Sequence, residues 1–419
     1  MRVVFHNPHS NFVIGRTLLD FLLRIRSYKK YSYLLEYLQV EGKQFAIYVD
    51  GHDSSLPKWL PRIFPIRAEL FIWMLLNGLN PLKTTVLWNI EDLKNDDIFI
   101  SFSLRNLDQE YHGLDNINDK KFLKLFHITH FVQNTSLIAK NIRRLNIDFL
   151  IAENNLSKNS EYFKKYFTFY KKDVYYLPFV YQSRFTRQVN FDKRLNKCLA
   201  TGTIVDIRET GNPYEFKDFS TFYKTSVLQP KRAMVHKYKY RLHKYIDSYI
   251  GVLYENKLII NRKNFLLKII GKLNNALIST RRNYFKFDIV EKYNSYKMFI
   301  NGEEINDLPG IGMVEGMACG CVYIGQKLSM YKDLGMKSGK HYISYNGTLK
   351  DLIRKIKYYQ KHNAKLELIA ENGYNLITKK CNKYSAAKLF FADIEKLSSD
   401  YRKVRFNKKK IKLRCSFAE

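Results

Sequence analysis

At 419 residues the chain is longer than one compact core usually organises, so two domains are expected. Hydrophobic residues make up 46% and aromatics 15%, which excludes a mostly disordered chain. Lys and Arg number 71 against 39 Asp and Glu, and the resulting charge of +32 draws polyanions (nucleic acid, an anionic membrane face or phosphorylated small molecules) without choosing among them.

In chain order, Val3-Val4-Phe5 reads as a short buried strand that ends at His6-Asn7-Pro8-His9. Thr17 suits the N-cap of a helix carrying Leu18, Leu19, Leu22 and Ile25. Strands are predicted at Phe45 to Val49, Val86 to Trp88, Ile98 to Ile100, Phe131 to Gln133 and Phe149 to Ile151, with a helix from about Ser136 to Leu145. Strands that alternate with helices argue for a parallel sheet covered on both faces. The segment Tyr175 to Val180 closes this half, and a fresh strand at Cys198 to Thr203 opens the next. Further strands are predicted at Lys297 to Ile300 and Cys321 to Gly325, with helices at about Leu349 to Tyr359 and Ala364 to Leu376. A terminal helix carries Phe390, Ile394 and Leu397, followed by a basic, solvated tail from Tyr401 to Arg414. The division expected is 1–188, 189–385, and 386–419 for the last helix and tail.

Five cysteines without CxxC spacing fit a reduced, cytoplasmic compartment. The opening apolar run stops at His6, too early for a secretory signal, and Leu70 to Leu76 falls far short of the ~20 residues of a spanning helix. Basic and aromatic residues from Lys58 and Trp59 through Arg62, Phe64 and Arg67 to Phe71, Trp73 and Met74 read either as a rim and core helix (Leu70 to Leu79) or as a face lying on an anionic membrane.

The densest signal runs from Asn306 to Gly325, NDLPGIGMVEGMACGCVYIG. A buried strand delivers the chain to a loop with Pro309, Gly310 and Gly312. A short helix starts near Gly312 and stops at Gly320, which suits a left-handed C′ position, and a second strand follows at once. Glycines at a helix start admit a ligand to unpaired backbone N–H groups, where the helix dipole favours phosphate. Glu315, about a turn further on, can accept hydrogen bonds from ribose hydroxyls. An ordinary turn and a helix-end acid would leave the same pattern. The spacing Gly310-x-Gly312-x-x-x-Gly316 is one residue too long for the dinucleotide fingerprint, and Gly335 to His341 lacks the hydroxyl of a phosphate-binding P-loop.

The stretch from Asp307 to Gly325 resembles the donor site of GT-B-fold glycosyltransferases, an E-x7-E segment that runs into a helix and strand of the pattern E-x-M-A-x-G-x-x-V-I. Asp307 stands where the first acid would be and Glu315 fits the second; Asp in place of Glu is the departure. The specific resemblance covers roughly the last 130 residues. It implies an α/β fold of two doubly wound Rossmann-like domains facing a cleft, with a nucleotide sugar in the second domain and no metal or other cofactor. It further implies that Glu315 holds the ribose, that Gly310, Ile311 and Gly312 offer main-chain contacts, and that an Arg–Lys pair such as Arg232 and Lys237 meets the diphosphate. Arg208, after the Cys198 strand, competes for that last role.

A general base for an inverting reaction would come from loops at the carboxyl ends of first-domain strands. Asp50, His52 and Asp53 directly follow one, while Glu91, His6 and His9 compete. His127-Ile128-Thr129-His130 lacks a third ligand nearby, so a metal site is not expected. The reading is a glycosyltransferase acting on a glycan or lipid-linked acceptor, in keeping with bacterial surface-polysaccharide synthesis such as lipopolysaccharide or capsule. It would be cytoplasmic, or peripheral on the inner face of the cell membrane. A phosphate-group transferase of teichoic type on the same scaffold, and a basic nucleic-acid binder, are the rival classes. The latter is disfavoured because basic and aromatic residues spread over the entire chain and no nucleic-acid motif occurs.

Overall fold

Two all-parallel sheets, one in each half of the chain, carry the architecture. The computed structural model describes residues 2–8, 31–49, 63–102, 107, 114–128, 131–209, 213–252, 287–303, 308–407 and 415–417. One unit comprises the chain to Pro178 together with Lys383 to Phe417, and the other runs from Phe179 to Asn382.

In the first unit, strands β1 (Val3–His6), β2 (Phe45–Tyr48), β3 (Thr85–Leu87), β4 (Ile98–Ser101), β5 (Leu123–His127), β6 (Phe149–Ala152) and β7 (Tyr175–Tyr176) form one sheet. Their order is β3-β2-β1-β4-β5-β6-β7, and Val3 of β1 faces Phe45 on one side and Ile98 on the other. Burial on both faces explains why these strands read as continuous apolar runs rather than alternating ones. The chain order reverses between β1 and β4, where His6 Nδ1 lies 3.2 Å from Ser101 Oγ. Helices α1 (Ser32–Val40), α2 (Ile63–Leu76) and α3 (Thr135–Arg144) belong to this unit.

Two sequence expectations need correction here. Phe131 to Gln133 is a turn, its Phe131 buried among the rings of Tyr162, Phe163 and Phe167, and the strand lies earlier, at β5. Lys124 masked β5 in the sequence: it sits inside the sheet with its ammonium donating to Leu145 O (3.0 Å) and Asn118 Oδ1 (3.1 Å). The helix expected to reach Leu79 stops at Leu76, because Gly78 turns the chain at φ 71° and Leu79 N closes on Met74 O. Leu70, Trp73 and Met74 are buried while Phe71 is 47% exposed. The helix expected after Thr17 and the stretch Lys58 to Arg62 lie outside the described residues.

The second unit contains β8 (Leu195–Ala200), β9 (Thr203–Ile204), β10 (Ile246–Ser248), β11 (Gly251–Val252), β12 (Tyr296–Ile300), β13 (Val322–Gln326) and β14 (Ile343–Tyr345). Five of them form a sheet in the order β10-β8-β12-β13-β14, and β11 pairs with β9. The helices are α4 (Pro230–Lys237), α5 (Ile289–Ser295), α6 (Ile311–Ala318), α7 (Leu349–Lys361) and α8 (Asn363–Lys380). Pro230 opens α4, where its missing N–H costs nothing, and Thr348 caps α7 by accepting from Asp351 N. Cys198, Met298, Val322, Ile343, Leu352 and Leu366 are among the residues of the core between sheet and helices.

Helix α9 (Lys383–Asn407) returns to the first unit. Phe391 stacks on Tyr37 of α1 at 5.7 Å, and Glu395 pairs with Lys43 at 2.5 Å. The solvated tail anticipated from Tyr401 is helical as far as Asn407, and residues 408–414 lie outside the described residues. Beyond them the chain is pinned again. Asp393 of α9 accepts from Tyr175 OH (2.6 Å), Ser416 N (2.9 Å) and Ser416 Oγ (2.6 Å), and Phe417 is fully buried against Tyr176. Asp393→Ala would leave the buried Tyr175 hydroxyl and the half-buried Ser416 donors without this acceptor. We expect a loss of about 1–3 kcal/mol in urea unfolding of the whole chain followed by fluorescence, with a smaller loss for Ser416→Ala.

Candidate active site

In open parallel sheets ligands gather at the carboxyl ends of strands where the chain order reverses. In the second unit that point lies between β8 and β12. Thr201-Gly202 leaves β8 there, and Asn301-Gly302-Glu303 leaves β12.

Four glycines let the backbone close around two side chains. A Cβ on Gly202 would lie 2.6 Å from Asn301 Oδ1 and 2.8 Å from Arg232 Nε, and one on Gly302 would lie 2.9 Å from Arg232 Cγ. On Gly310 it would lie 2.9 Å from Arg232 Nη2, and on Gly312 it would run into Asn301 Nδ2. Gly202 and Gly302 also take φ of 107° and 51°, which glycine alone adopts at little cost. Arg232, buried near the start of α4, donates from Nε to Asn301 O and from Nη1 to Thr203 O (2.9 Å). Asn301 is 6% exposed, and among the described residues its Oδ1 has no hydrogen-bond partner. A buried acceptor of that kind normally has one.

Helix α6 begins at this cradle. Gly310 precedes it in extended conformation, and among the described residues no side chain caps the first amides, which leaves them open to a ligand or water. Met313 N is taken by Gly310 O at 3.0 Å. Gly316 brings α6 onto β12, since a Cβ there would lie 2.5 Å from the Phe299 ring. At the other end Gly320 takes φ 75°, with Gly320 N bonded to Met317 O and Cys321 N to Gly316 O. This is a Schellman closure at the residue the sequence marked. Arg194, buried, donates to Cys319 O (2.8 Å), Val189 O (2.8 Å) and Asn294 Oδ1 (3.3 Å), tying the end of α6 to α5 and to the chain before β8.

Glu315 is half-buried on α6, and burial pushes its carboxyl up to about 7, with Arg184 pulling the other way. Near neutral pH it therefore exists as acid and carboxylate together. Of the other residues singled out in the sequence, Gly310, Ile311 and Gly312 stand at the start of α6 with Arg232 beside them. Lys237 closes the opposite end of α4, exposed, its ammonium 5.6 Å from the Tyr238 ring. Lys231 is nearer, its Cβ 3.6 Å from a Cβ built on Gly302 and its ammonium on Gly347 O at 3.0 Å. Arg208 is engaged by Asp206 at the surface. Asp50, His52, Asp53, His9 and Asp307 lie outside the described residues.

Glu303, Tyr293 and Glu153 join residues that the sequence had named in other roles, His127 and Glu91. Glu303, fully buried, accepts from Gln326 N (2.7 Å), Tyr323 OH (3.3 Å) and Tyr331 OH, so the loop after β12 is locked to the end of β13. Burial, with Glu303 close by, raises both phenols well above their ordinary range. Tyr293 OH, 3.3 Å from Thr201 Oγ1, closes the cradle beside Gly312. In the first unit, described by itself, buried His127 at the end of β5 meets Tyr31 OH (2.7 Å) and Glu153 (3.3 Å) after β6. Glu91 is a surface partner of Lys120. Sequence alone gave no local mark for Glu303 or Glu153, because their partners lie 20 residues or more away.

Residues 258–387 match the glycosyl transferase-like family. No curated protein is detectably similar in sequence. Among solved structures, Anabaena Alr3699/HepE in complex with UDP-glucose aligns at TM-score 0.50 and 11% identity, over 95% of this chain and 100% of that one. A glycosyltransferase from Rickettsia africae ESF-5 aligns at 0.46 and 11% identity, over 96% and 98%. Sucrose-phosphate synthase from Thermosynechococcus elongatus aligns at 0.48 and 10%, over 95% and 99%. The two doubly wound units give the chain the GT-B fold, and its glycine-lined segment lies within the stretch that matches the glycosyl transferase-like family.

Proposed function

We propose that the second unit binds a nucleotide-sugar donor at the carboxyl edge of its sheet, and that the acceptor is a glycan or a lipid-linked glycan of a surface polysaccharide. The observation that carries the donor reading is the glycine-lined start of α6 beside a buried guanidinium and an amide oxygen, with neither a cap for the helix nor a partner for the oxygen among the described residues. Backbone N–H groups at a helix start suit phosphate, and a fixed cation suits the charge that grows on a departing diphosphate. The UDP-glucose complex of the similarly folded HepE supports the same donor class.

In this reading the amides at Gly310, Ile311 and Gly312 meet the phosphates. Arg232 steadies the leaving group with Lys231 as second cation, taking the place first given to Lys237. Glu315 as carboxylate accepts the ribose hydroxyls, and Asp307 meets the transferred sugar. For an inverting transfer, the acceptor oxygen attacks the anomeric carbon as the bond to the diphosphate breaks, and Asp50 or His52, following β2, takes the hydroxyl proton. The reading needs no metal or further cofactor. Among the described residues no helix is long and apolar enough to cross a membrane. Five cysteines without CxxC spacing support a place in the cytoplasm or on the inner face of the cell membrane.

A thermal-shift panel of nucleotide sugars tests the donor assignment. At least one donor should raise the melting temperature, and an activated alcohol-phosphate donor doing so instead would favour the phosphate-group transferase. Gly312→Ala should weaken donor binding about tenfold or more, since the new methyl displaces Asn301 from the cradle.

The Glu315 carboxyl yields a signed pH prediction. Only its ionised form accepts two ribose hydroxyls, so donor affinity in titration calorimetry should fall as pH drops from about 8 to 6, through the titration near 7. Glu315→Gln should bind more weakly at pH 8 and show a flat profile. The stability effect runs the other way. Because burial raises this group in the folded state, its ionisation costs stability as pH rises between the ordinary carboxyl range and about 7, and the Gln variant escapes that loss.

A further inference from the structure

The sheet of the second unit has a second chemically distinctive edge, opposite the candidate donor site. Residues 219–246 contain no Asp or Glu, and neither do residues 352–366. The first stretch ends in Lys237-Tyr238-Lys239-Tyr240-Arg241-Leu242-His243-Lys244-Tyr245, which leads directly into β10, and the second forms most of α7 and the start of α8. Both therefore reach the amino edge of the sheet. Asn196 at the start of β8 exchanges two hydrogen bonds with Gln360 near the end of α7, at 3.0 and 2.7 Å, which fixes the two elements together.

The side chains interleave cations with rings. Lys357 Nζ lies 4.9 Å from the centroid of Tyr245, which joins α7 to the segment before β10, and Lys244 approaches the same ring at 6.0 Å. Tyr358 stacks on His362 at 4.0 Å, and Lys365 donates to its hydroxyl at 3.2 Å. Tyr240 is 80% exposed and Tyr358 41%. Lys237, Arg241, Lys244, Lys357, Lys361 and Lys365 are exposed, and none of them pairs with a carboxylate among the described residues. The nearest acid on β10, Asp247, is already held by Lys197 (2.6 Å) and Tyr296 OH (2.8 Å). Solvated lysines scattered over a basic protein need no such rings. Two exposed tyrosine faces within a field of unpaired cations offer both halves of a recognition surface: apolar ring faces for the C–H side of a pyranose, and ammonium groups for acidic substituents.

We propose that this edge is a binding site for an acidic glycan, separate from the donor site and able to hold a growing or neighbouring chain while transfer proceeds elsewhere. The choice of glycan among polyanions rests on the glycan-acceptor reading above; the surface itself does not. Lysine in place of arginine at nearly every cationic position also fits dispersed carboxylates better than the bidentate phosphate contacts of nucleic acid.

The test uses the full chain and oligogalacturonate as probe, with neutral dextran, a single-stranded DNA oligonucleotide and anionic vesicles as controls, by biolayer interferometry at about 0.15 M salt. Oligogalacturonate should bind and dextran should not. Lys244→Gln with Lys357→Gln should weaken binding about tenfold, and Tyr240→Ala alone, at a surface ring whose loss leaves the fold untouched, should weaken it measurably. Donor-dependent thermal stabilisation should be unchanged in all of these variants, so failure here and failure of the donor reading are told apart. Absence of oligogalacturonate binding, DNA or vesicle binding as tight as that of the glycan, or an unchanged affinity in Tyr240→Ala would each overturn the proposal.

Discussion

The site depends on a steric constraint at one point of the second sheet. Asn301 and Arg232 fill the volume where the chain leaving β8, the chain leaving β12 and the start of α6 converge, and they fit only because Gly202, Gly302, Gly310 and Gly312 carry no Cβ. The same absence exposes the first amides of α6 and keeps a guanidinium within reach of them. Any side chain at these positions would overpack a closed cradle, a cost of about 1–3 kcal/mol per site in well-filled interiors. Packing and ligand access are thus set by the same four residues.

Everything around the cradle serves to hold it still. Glu303 fastens the loop after β12 to β13 through a backbone amide and two buried phenols, and Arg194 straps the far end of α6 to α5. Gly320 ends α6 in a closed turn that feeds β13 without slack. A catalytic group is held to useful precision when the residues behind it have no freedom left. The buried hydrogen bonds of Glu303 supply that rigidity beside an amide oxygen, on Asn301, that has no partner among the described residues.

Much of this was legible in the sequence where the signal is local. The bounds of α6 followed from Gly310, Gly312 and Gly320, because a helix start stripped of side chains and a left-handed stop both demand glycine. The buried strands β1, β4 and β12 announced themselves as apolar runs ended by polar turns. What escaped was set by long-range pairing. Lys124 disguised β5 because its ammonium finds carbonyl and amide oxygens inside the fold. The return of α9 to the first unit rests on contacts such as Asp393 with Tyr175, 218 residues apart, which no window along the chain can reveal. The nearness of Lys231 rather than Lys237 to the site follows from which end of α4 meets the carboxyl edge, a matter of topology rather than spacing.

The central claim is that a nucleotide sugar sits on the amides at the start of α6. Hydrogen–deuterium exchange of the full chain, with and without the donor that stabilises it best, addresses this directly. The account predicts slower exchange in peptides spanning residues 308–316, with the effect greatest at Ile311 and Gly312. Protection confined to the first unit, with those amides exchanging at the same rate in both states, would contradict it.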